Sequence, residues 1–571
     1  MNTTVMTGRR KRKRRGPVFL FLLLVLAASA AVVWWGVNQP NKSRATLEYM
    51  DKPGPIMMNG QWLDAYAQGE GDGLLIPMKI ADQLLGDGVH YEEESGSIIL
   101  TTESKVLHFK TGELDATLNR QPFPLTFAAQ TIEDELYLPF APLEQLFGIR
   151  AETGASSGIV TLAMPNSSLQ HALVPDKKSG AKLRSGPSKK EPIVEDLQPG
   201  STLVIWGEEE GWYRAQSAEG HIGYVDKRDA NLADMEQIAP AAEEEPFVAW
   251  KLAGKRINLT WEAVYSANPD TSEIGELTGV NVVSPTWFEL QDGAGTIKSI
   301  ADAGYSEWAR NRGMQVWGLF SNGFEPDRTT EALASYETRT KMIQQLLAYA
   351  KTFRLQGINI DFENVYTEDK DNLVQFMREL TPLLHEQGLV SSIDVTPKSN
   401  SEMWSAFLDR KRLAESTDYL IVMAYDEHWA SSPTAGSVSS LPWAEASVKR
   451  ILEEDSVPKS KLILGMPLYT RLWTVAADGS VSSKTMSMNA VNELLQEKKL
   501  TPTFSSETGQ HYVEYKEDGA TKKIWIEDAT SIKARAELVK KYDLAGAATW
   551  RRGFESSDIW KALDETLQSH P

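Results

Sequence analysis

Gly357-Ile358-Asn359-Ile360-Asp361-Phe362-Glu363 alternates strictly. In an extended chain Ile358, Ile360 and Phe362 fall on one face and Asn359, Asp361 and Glu363 on the other. An amphipathic helical pattern precedes it at 332–352 and another follows at 371–387. A strand between two helices belongs to a βαβ unit, and such strands are normally buried on both faces. Polar side chains, two of them acids, cost free energy on a buried face unless they have a use. Fold class and chemistry are therefore both to be sought around this strand.

Outward from it, strands and helices alternate. The pattern predicts strands at 257–261, 280–287, 314–320, 357–363, 390–396, 419–425, 462–469 and 545–550. Eight strands over this length predict a closed (β/α)8 barrel. An open doubly wound sheet is the alternative, but no Gly-rich dinucleotide loop follows the first strand. Barrels carry their functional residues at the C-terminal ends of the strands. There the sequence offers Asp361 and Glu363 on the fourth strand, Tyr425 and Asp426 on the sixth, Tyr469 and Arg471 on the seventh, and Trp550 on the eighth.

The chain has 571 residues and a net charge of -19, so several domains are expected and nucleic acid is a poor partner. It has no cysteine, and its eight histidines show no ligand spacing, so neither a disulfide framework nor a metal or other cofactor is expected. Upstream of the barrel region, 251–571, lies a charged linker, 231–250. Before that, 170–230 carries short strands punctuated by Gly and Pro, including Leu183-Arg184-Ser185-Gly186-Pro187, Gly211-Trp212-Tyr213-Arg214-Ala215 and Gly220-His221-Ile222-Gly223-Tyr224-Val225. This segment resembles bacterial SH3-type domains, small β-barrels, and the resemblance implies a cell-wall ligand. Trp212 and Tyr213 are read either as groove aromatics or as core.

Residues 51–166 contain an internal repeat. Leu74-Leu75-Ile76-Pro77 matches Leu136-Tyr137-Leu138-Pro139, and Gln83-Leu84-Leu85-Gly86 matches Gln145-Leu146-Phe147-Gly148, both at an offset of 62 residues. Each copy predicts strand, short helix, strand. The segment resembles the small α+β repeat domain at the N-terminus of some copper amine oxidases, without copper ligands, and is read as a spacer or a wall-binding element. A linker, 38–50, precedes it. The segment 17–37 carries no charge and is long enough to cross a bilayer as a helix. The basic run Arg9 to Arg15, within a tail spanning 1–16, predicts a cytoplasmic N-terminus and an external remainder. Ala28-Ser29-Ala30 keeps open the alternative of a cleaved signal and a secreted protein.

The barrel motifs reach a family. Leu355 to Glu363, Met423-Ala424-Tyr425-Asp426, Gly465-Met466-Pro467-Leu468-Tyr469 and Trp550 resemble, in order and spacing, the strand ends of family-18 glycoside hydrolases. The segment at about 473–530 resembles that family's small α+β insertion. Ser284-Pro285-Thr286-Trp287-Phe288 is similar to the bacterial spore and cell-wall subgroup. The resemblance implies a retaining, substrate-assisted glycosidase, in which the 2-acetamido oxygen of the substrate is the nucleophile. It implies Glu363 as general acid and base, Asp361 orienting the acetamide N–H, the Tyr425 hydroxyl holding the acetamide, and Trp550 beneath the sugar. Asn359, Asp426, Tyr469 and Arg471 are further candidate contacts. Two positions depart from the pattern: Gln356 stands where Asp or Asn is usual, and Asn359 where many members carry a second Asp. The combined expectation is a membrane-anchored extracellular glycosidase acting on N-acetylglucosamine-containing glycans, peptidoglycan first. The alternatives are a chitinase or chito-oligosaccharide hydrolase, and a non-catalytic wall-binding scaffold.

Overall fold

The computed structural model describes residues 16–176, 180–240, 247–251 and 254–568. The basic run at 9–15 and the 241–246 part of the linker lie outside them. The chain divides into two compact units, Met1–Ala81 with Ala129–Glu243, and Asp82–Ala128 with Glu244–Pro571.

In the first unit, Gly16–Asn38 is one helix whose Phe19–Gly36 stretch has a mean hydropathy of 2.3 and is long and apolar enough to cross a membrane. The two repeat copies meet directly. Strands Leu75–Pro77 and Glu135–Pro139 pair antiparallel with Ile76 opposite Leu138. Each runs into a helix, Met78–Leu85 and Phe140–Phe147. Gly148 ends the second helix at φ +70°, a left-handed position that glycine enters without a Cβ clash. The SH3-type segment is part of a seven-stranded sheet around Ala172, Leu183, Leu203, Ala215 and Val225. Trp212 is buried and Tyr213 packs half-buried against that core. Residues 231–237, read from sequence as the start of the linker, are instead the edge strand Asn231–Gln237, paired antiparallel with Ser168–Leu173. Their charges face solvent, which suits an edge strand as well as a linker.

The second unit is built on the closed barrel. Its strands are β1 (Ile257–Glu262), β2 (Val282–Leu290), β3 (Gln315–Ser321), β4 (Gly357–Asp361), β5 (Val390–Val395), β6 (Tyr419–Met423), β7 (Leu462–Pro467) and β8 (Gly546–Trp550). All neighbours pair parallel, and β1 pairs with both β2 and β8, which closes the ring. The alternation read on β4 holds. Ile358, Ile360 and Phe362 pack in the layer between barrel and helices. A second core of Leu259, Trp261, Trp317, Leu319, Tyr419 and Ile421 fills the barrel interior.

In the barrel unit, too, boundaries differ from the sequence reading. The helical pattern at 332–352 is two helices, Pro326–Leu333 and Tyr336–Phe353, because Ser335 adopts an extended backbone and its side chain accepts from the Thr338 amide, capping the second. Strand β7 ends at Pro467, so Tyr469 and Arg471 belong to the next strand, Tyr469–Val475, the first of the inserted five-stranded sheet. Asp82–Ala128, the middle of the expected 51–166 repeat domain, also belongs with the barrel. It carries a five-stranded antiparallel meander, and Glu92 in it reaches Arg339 at 2.7 Å, while His108 stacks on Tyr336 at 3.7 Å.

Candidate active site

Strand β4 delivers its acids to the C-terminal mouth of the barrel, as the alternation requires. Asp361 is its last residue and is 9% exposed. Its Oδ1 is buried with no hydrogen-bond partner. Burial pushes the Asp361 carboxyl up to about 7. Glu363 lies two residues further on, where the strand has ended. Its backbone is clamped by Asn322, just past β3: the Asn322 side chain accepts from the Glu363 amide at 3.1 Å and donates to the Glu363 carbonyl at 2.8 Å. Burial raises the Glu363 carboxyl well above its ordinary range, and the charges of Asp361 and Asp426 raise it further. A carboxyl so placed holds its proton to higher pH than an ordinary glutamate and can donate it.

Asn359, one turn of the pleat deeper, is fully buried. Its Oδ1 accepts from the Trp261 indole at 3.0 Å and the Ser284 hydroxyl at 3.1 Å, and its Nδ2 donates to Asp394 Oδ1 at 2.9 Å. Gln356 sits at the opposite end of β4, where its side chain accepts from the Val316 amide and donates to the Arg354 carbonyl. That departure from the family pattern is a backbone brace remote from the mouth.

The remaining expected residues converge. Tyr425, two residues beyond β6, stands edge-on to Trp261 at 6.5 Å and to Tyr469 at 6.4 Å. Burial, then the charges of Asp394, Tyr469, Glu363 and Asp361, raise its phenol well above its ordinary value, so it remains a hydroxyl donor. Trp550 at the end of β8 packs against Trp261 with ring centroids 5.9 Å apart. Asp426 has a left-handed backbone, φ +60°, which turns its side chain toward the inserted sheet. There it accepts from the Tyr469 hydroxyl at 2.7 Å and from Arg471 Nη2 at 2.8 Å. All eight sequence-read residues thus stand at or just below one mouth, with Tyr469, Arg471 and Asp426 forming a hydrogen-bonded group of their own. Glu262, at the end of β1, is paired with Arg552 and accepts from the Tyr305 hydroxyl, a structural arrangement.

Asp394 and Asn322 escaped the sequence reading. Asp394 had a legible signal, since Ser392 and Asp394 alternate inward on β5 as Asn359 and Asp361 do on β4. Asn322 had none, because its partner is backbone. Among the described residues no group of three or more His, Asp or Glu is arranged to hold a metal ion.

Comparison with known proteins agrees with this geometry. Residues 307–555 match the model for glycosyl hydrolases family 18, residues 57–162 the copper amine oxidase N-terminal domain, and residues 179–230 the bacterial SH3 domain. The chain is 27% identical over 310 residues to the uncharacterized glycosylase YvbX of Bacillus subtilis (strain 168), covering 52% of this chain and 88% of that one. It is 25% identical over 262 residues to the cortical fragment-lytic enzyme of Bacillus anthracis, covering 44% and 59% respectively. It is 24% identical over 256 residues to chitotriosidase-1 of Mus musculus, covering 40% and 55%. It therefore spans little more than half the length of the last two.

Proposed function

The C-terminal barrel is a glycoside hydrolase domain of family 18, and from that premise we propose that the chain hydrolyses N-acetylglucosamine-containing glycans, peptidoglycan foremost, by a retaining, substrate-assisted mechanism. One observation carries the mechanism. The buried acids Asp361 and Asp394 lie on the neighbouring strands β4 and β5, half-buried Glu363 follows just past the end of β4, and Asp426, after β6, is already engaged by Arg471 and Tyr469. Two carboxylates flanking a scissile bond, the usual arrangement, are replaced by one acid with a positioning partner. The nucleophile is then the substrate's own acetamide oxygen.

In this reading Glu363 donates its proton to the leaving glycosidic oxygen as the acetamide oxygen attacks the anomeric carbon. Asp361 accepts from the acetamide N–H and offsets the positive charge of the resulting oxazolinium ring. Tyr425 donates to the acetamide oxygen and fixes its approach. Glu363, now a carboxylate, takes a proton from water as the water opens the ring, and the enzyme returns to its starting state. Trp550 supplies an apolar floor for the sugar. The N-terminal apolar helix anchors the enzyme outside the membrane, and the SH3-type module engages wall material. The relative named as a cortical fragment-lytic enzyme supports peptidoglycan as the polymer; the one named chitotriosidase makes chitin the comparison substrate.

The test is reducing-end release from purified peptidoglycan and from chitin oligomers, by the wild type and by Glu363→Gln. Activity should require both Glu363 and the acetamide. Persistent cleavage by the variant, or equal cleavage of de-N-acetylated glycan, would overturn the mechanism. Binding of wall glycan by a wild type that cleaves none would leave a scaffold.

A further inference from the structure

Asn359 poses a question that its neighbours answer. Strand β5 runs parallel to β4 with Ile360 opposite Ile393. One step onward, Asp361 stands beside Asp394, on strands about 4.8 Å apart and with both side chains inward by alternation. Asp394 is 2% exposed. The amide between them has one orientation: the Trp261 indole can only donate, so Asn359 turns its oxygen to Trp261 and Ser284 and its NH2 to Asp394 Oδ1. Asp394 is thus anchored by one oxygen, and a proton on this acid must sit on the other.

The groups facing Asp394 are Asp361 and Glu363 from β4 and its end, Tyr425 beyond β6, and the Trp261 and Asn359 side chains. No cation is hydrogen-bonded to Asp394 or Asp361 among the described residues. Two anions this close in a dry site are costly, and the ordinary resolution is retention of one proton by the pair. The unpartnered Oδ1 of Asp361 is an acceptor waiting for such a donor.

Resting on the glycosidase reading above, we propose that Asp394 is the second carboxyl of this site, displaced by one strand, and acts as a positioning residue that shares a single proton with Asp361. The pair carries one negative charge throughout. When the acetamide N–H leans on Asp361, the proton rests on Asp394 and Asp361 is the anion the oxazolinium needs; when the ring opens, the proton is again free to pass between them. None is gained or lost over the cycle. The amide at 359 is then the bracket of the pair, and the missing strand-four carboxyl is supplied from β5. The upward push of burial on both acids is consistent with a retained proton.

The experiment compares the full-length wild type, Asp394→Asn, and the swap Asn359→Asp with Asp394→Asn, which moves the carboxyl back to β4. Each is assayed for kcat and KM across pH on acetylated glycan. Asp394→Asn should lower kcat by about 100-fold with KM within about threefold. It should also move the upper limb of the kcat profile, which belongs to the coupled acids as a group, to lower pH, because a lone carboxyl gives up its proton sooner than a pair. The swap should regain most of the kcat and the limb. Wild-type kcat and an unshifted limb in Asp394→Asn would overturn the proposal. If that variant does not fold, infrared titration in the Glu363→Gln background decides, since this removes the proton on Glu363. A protonated-carboxyl stretch that persists above pH 6 in Glu363→Gln and weakens when Asp361→Asn is added supports the shared proton; its absence from Glu363→Gln, or its indifference to Asp361→Asn, overturns it. A wild type inactive on every acetylated glycan would instead defeat the glycosidase reading, and the infrared titration would still test the pair.

Discussion

The barrel unit buries acids in two kinds of place. Glu527 takes Arg535 in a two-armed grip, Nη2 to Oε1 at 2.7 Å and Nη1 to Oε2 at 2.8 Å, with Ser531 and Gln510 completing its shell. Glu379 is held by Arg339 in the same manner, at 2.6 and 3.0 Å. Asp361 and Asp394 are buried and Glu363 half-buried, and no arginine or lysine is hydrogen-bonded to any of the three among the described residues. Burial pushes every one of these acids up; at Glu379 and Glu527 a guanidinium and its N–H donors push back, whereas at Asp361 and Glu363 nothing does. The same residue type therefore yields a rivet in one place and a proton store in the other, and the difference is the arginine.

Removing an acid from each kind of place should have opposite consequences. Glu363→Gln keeps the shape and removes the proton. It should cost about 10²- to 10⁴-fold in kcat while leaving the melting temperature unchanged or higher, because an unpaired buried acid contributes no stability. A loss below about tenfold in steady-state assays would place Glu363 outside the chemistry. Arg535→Leu reverses the signature. Stranding Glu527 should lower stability by roughly 3–5 kcal/mol in denaturant unfolding, with KM unchanged in the fraction that remains folded. Arg339→Leu should behave likewise, since it strands Glu379 and releases Glu92 of the meander. Either arginine variant melting with the wild type would erase the contrast.

Much of this was legible in the sequence, for definite reasons. A period of two on 357–363 between helical patterns set the face and the fold, because alternation in a parallel strand is rare unless one face has work to do. The tyrosines, Trp550 and Asp426 were legible as strand-end residues. Partner choice was not. Arg535 and Arg339 read as ordinary helix arginines, and only packing shows that each meets a glutamate from another element. Asp394 carried the same inward alternation as Asp361, yet its strand also reads as a plain apolar run because Val390, Ile393 and Val395 dominate it. The break at Ser335 and the edge strand at 231–237 were hidden because a cap and a charged edge look locally like continuous helix and like linker. The siding of 82–128 with the barrel had no local signal, since both repeat copies match one pattern.

A smaller effect tests the proton store itself. With Asp361 raised to about 7 from an ordinary value near 4, the folded protein binds a proton that the unfolded chain has released. Its contribution is most favourable below about pH 4, is lost as pH rises through 7, and is constant above that. Asp361→Asn cannot ionise, so its stability relative to wild type should climb across this window. The gain should reach roughly 2–4 kcal/mol at pH 7.5, because each tenfold difference in proton affinity between folded and unfolded chain is worth about 1.4 kcal/mol. Denaturant unfolding of both proteins at pH 4, 6 and 7.5 measures it. A constant difference would mean that the fold holds no extra proton on Asp361 across this window.

Asp426 stands between the two classes and gives the finest test. It has an arginine, like Glu527, but its side chain is 42% exposed, and its charge also bears on Glu363. Arg471 therefore does two things: it holds Asp426 against the inserted sheet and offsets an anion beside the acid. Arg471→Met keeps the length and removes the charge. The uncompensated Asp426 should then make ionisation of Glu363 harder, so the upper limb of the kcat profile should move to higher pH. The displacement should stay under about one pH unit, because an exposed charge is screened by solvent. Raising the ionic strength should shrink it, since salt screens Asp426 and leaves the buried acids almost untouched. A limb that does not move, or moves down, would assign Arg471 to the rivets: a residue that fixes Asp426 and Tyr469 in place and leaves the proton on Glu363 to Asp361 and burial alone.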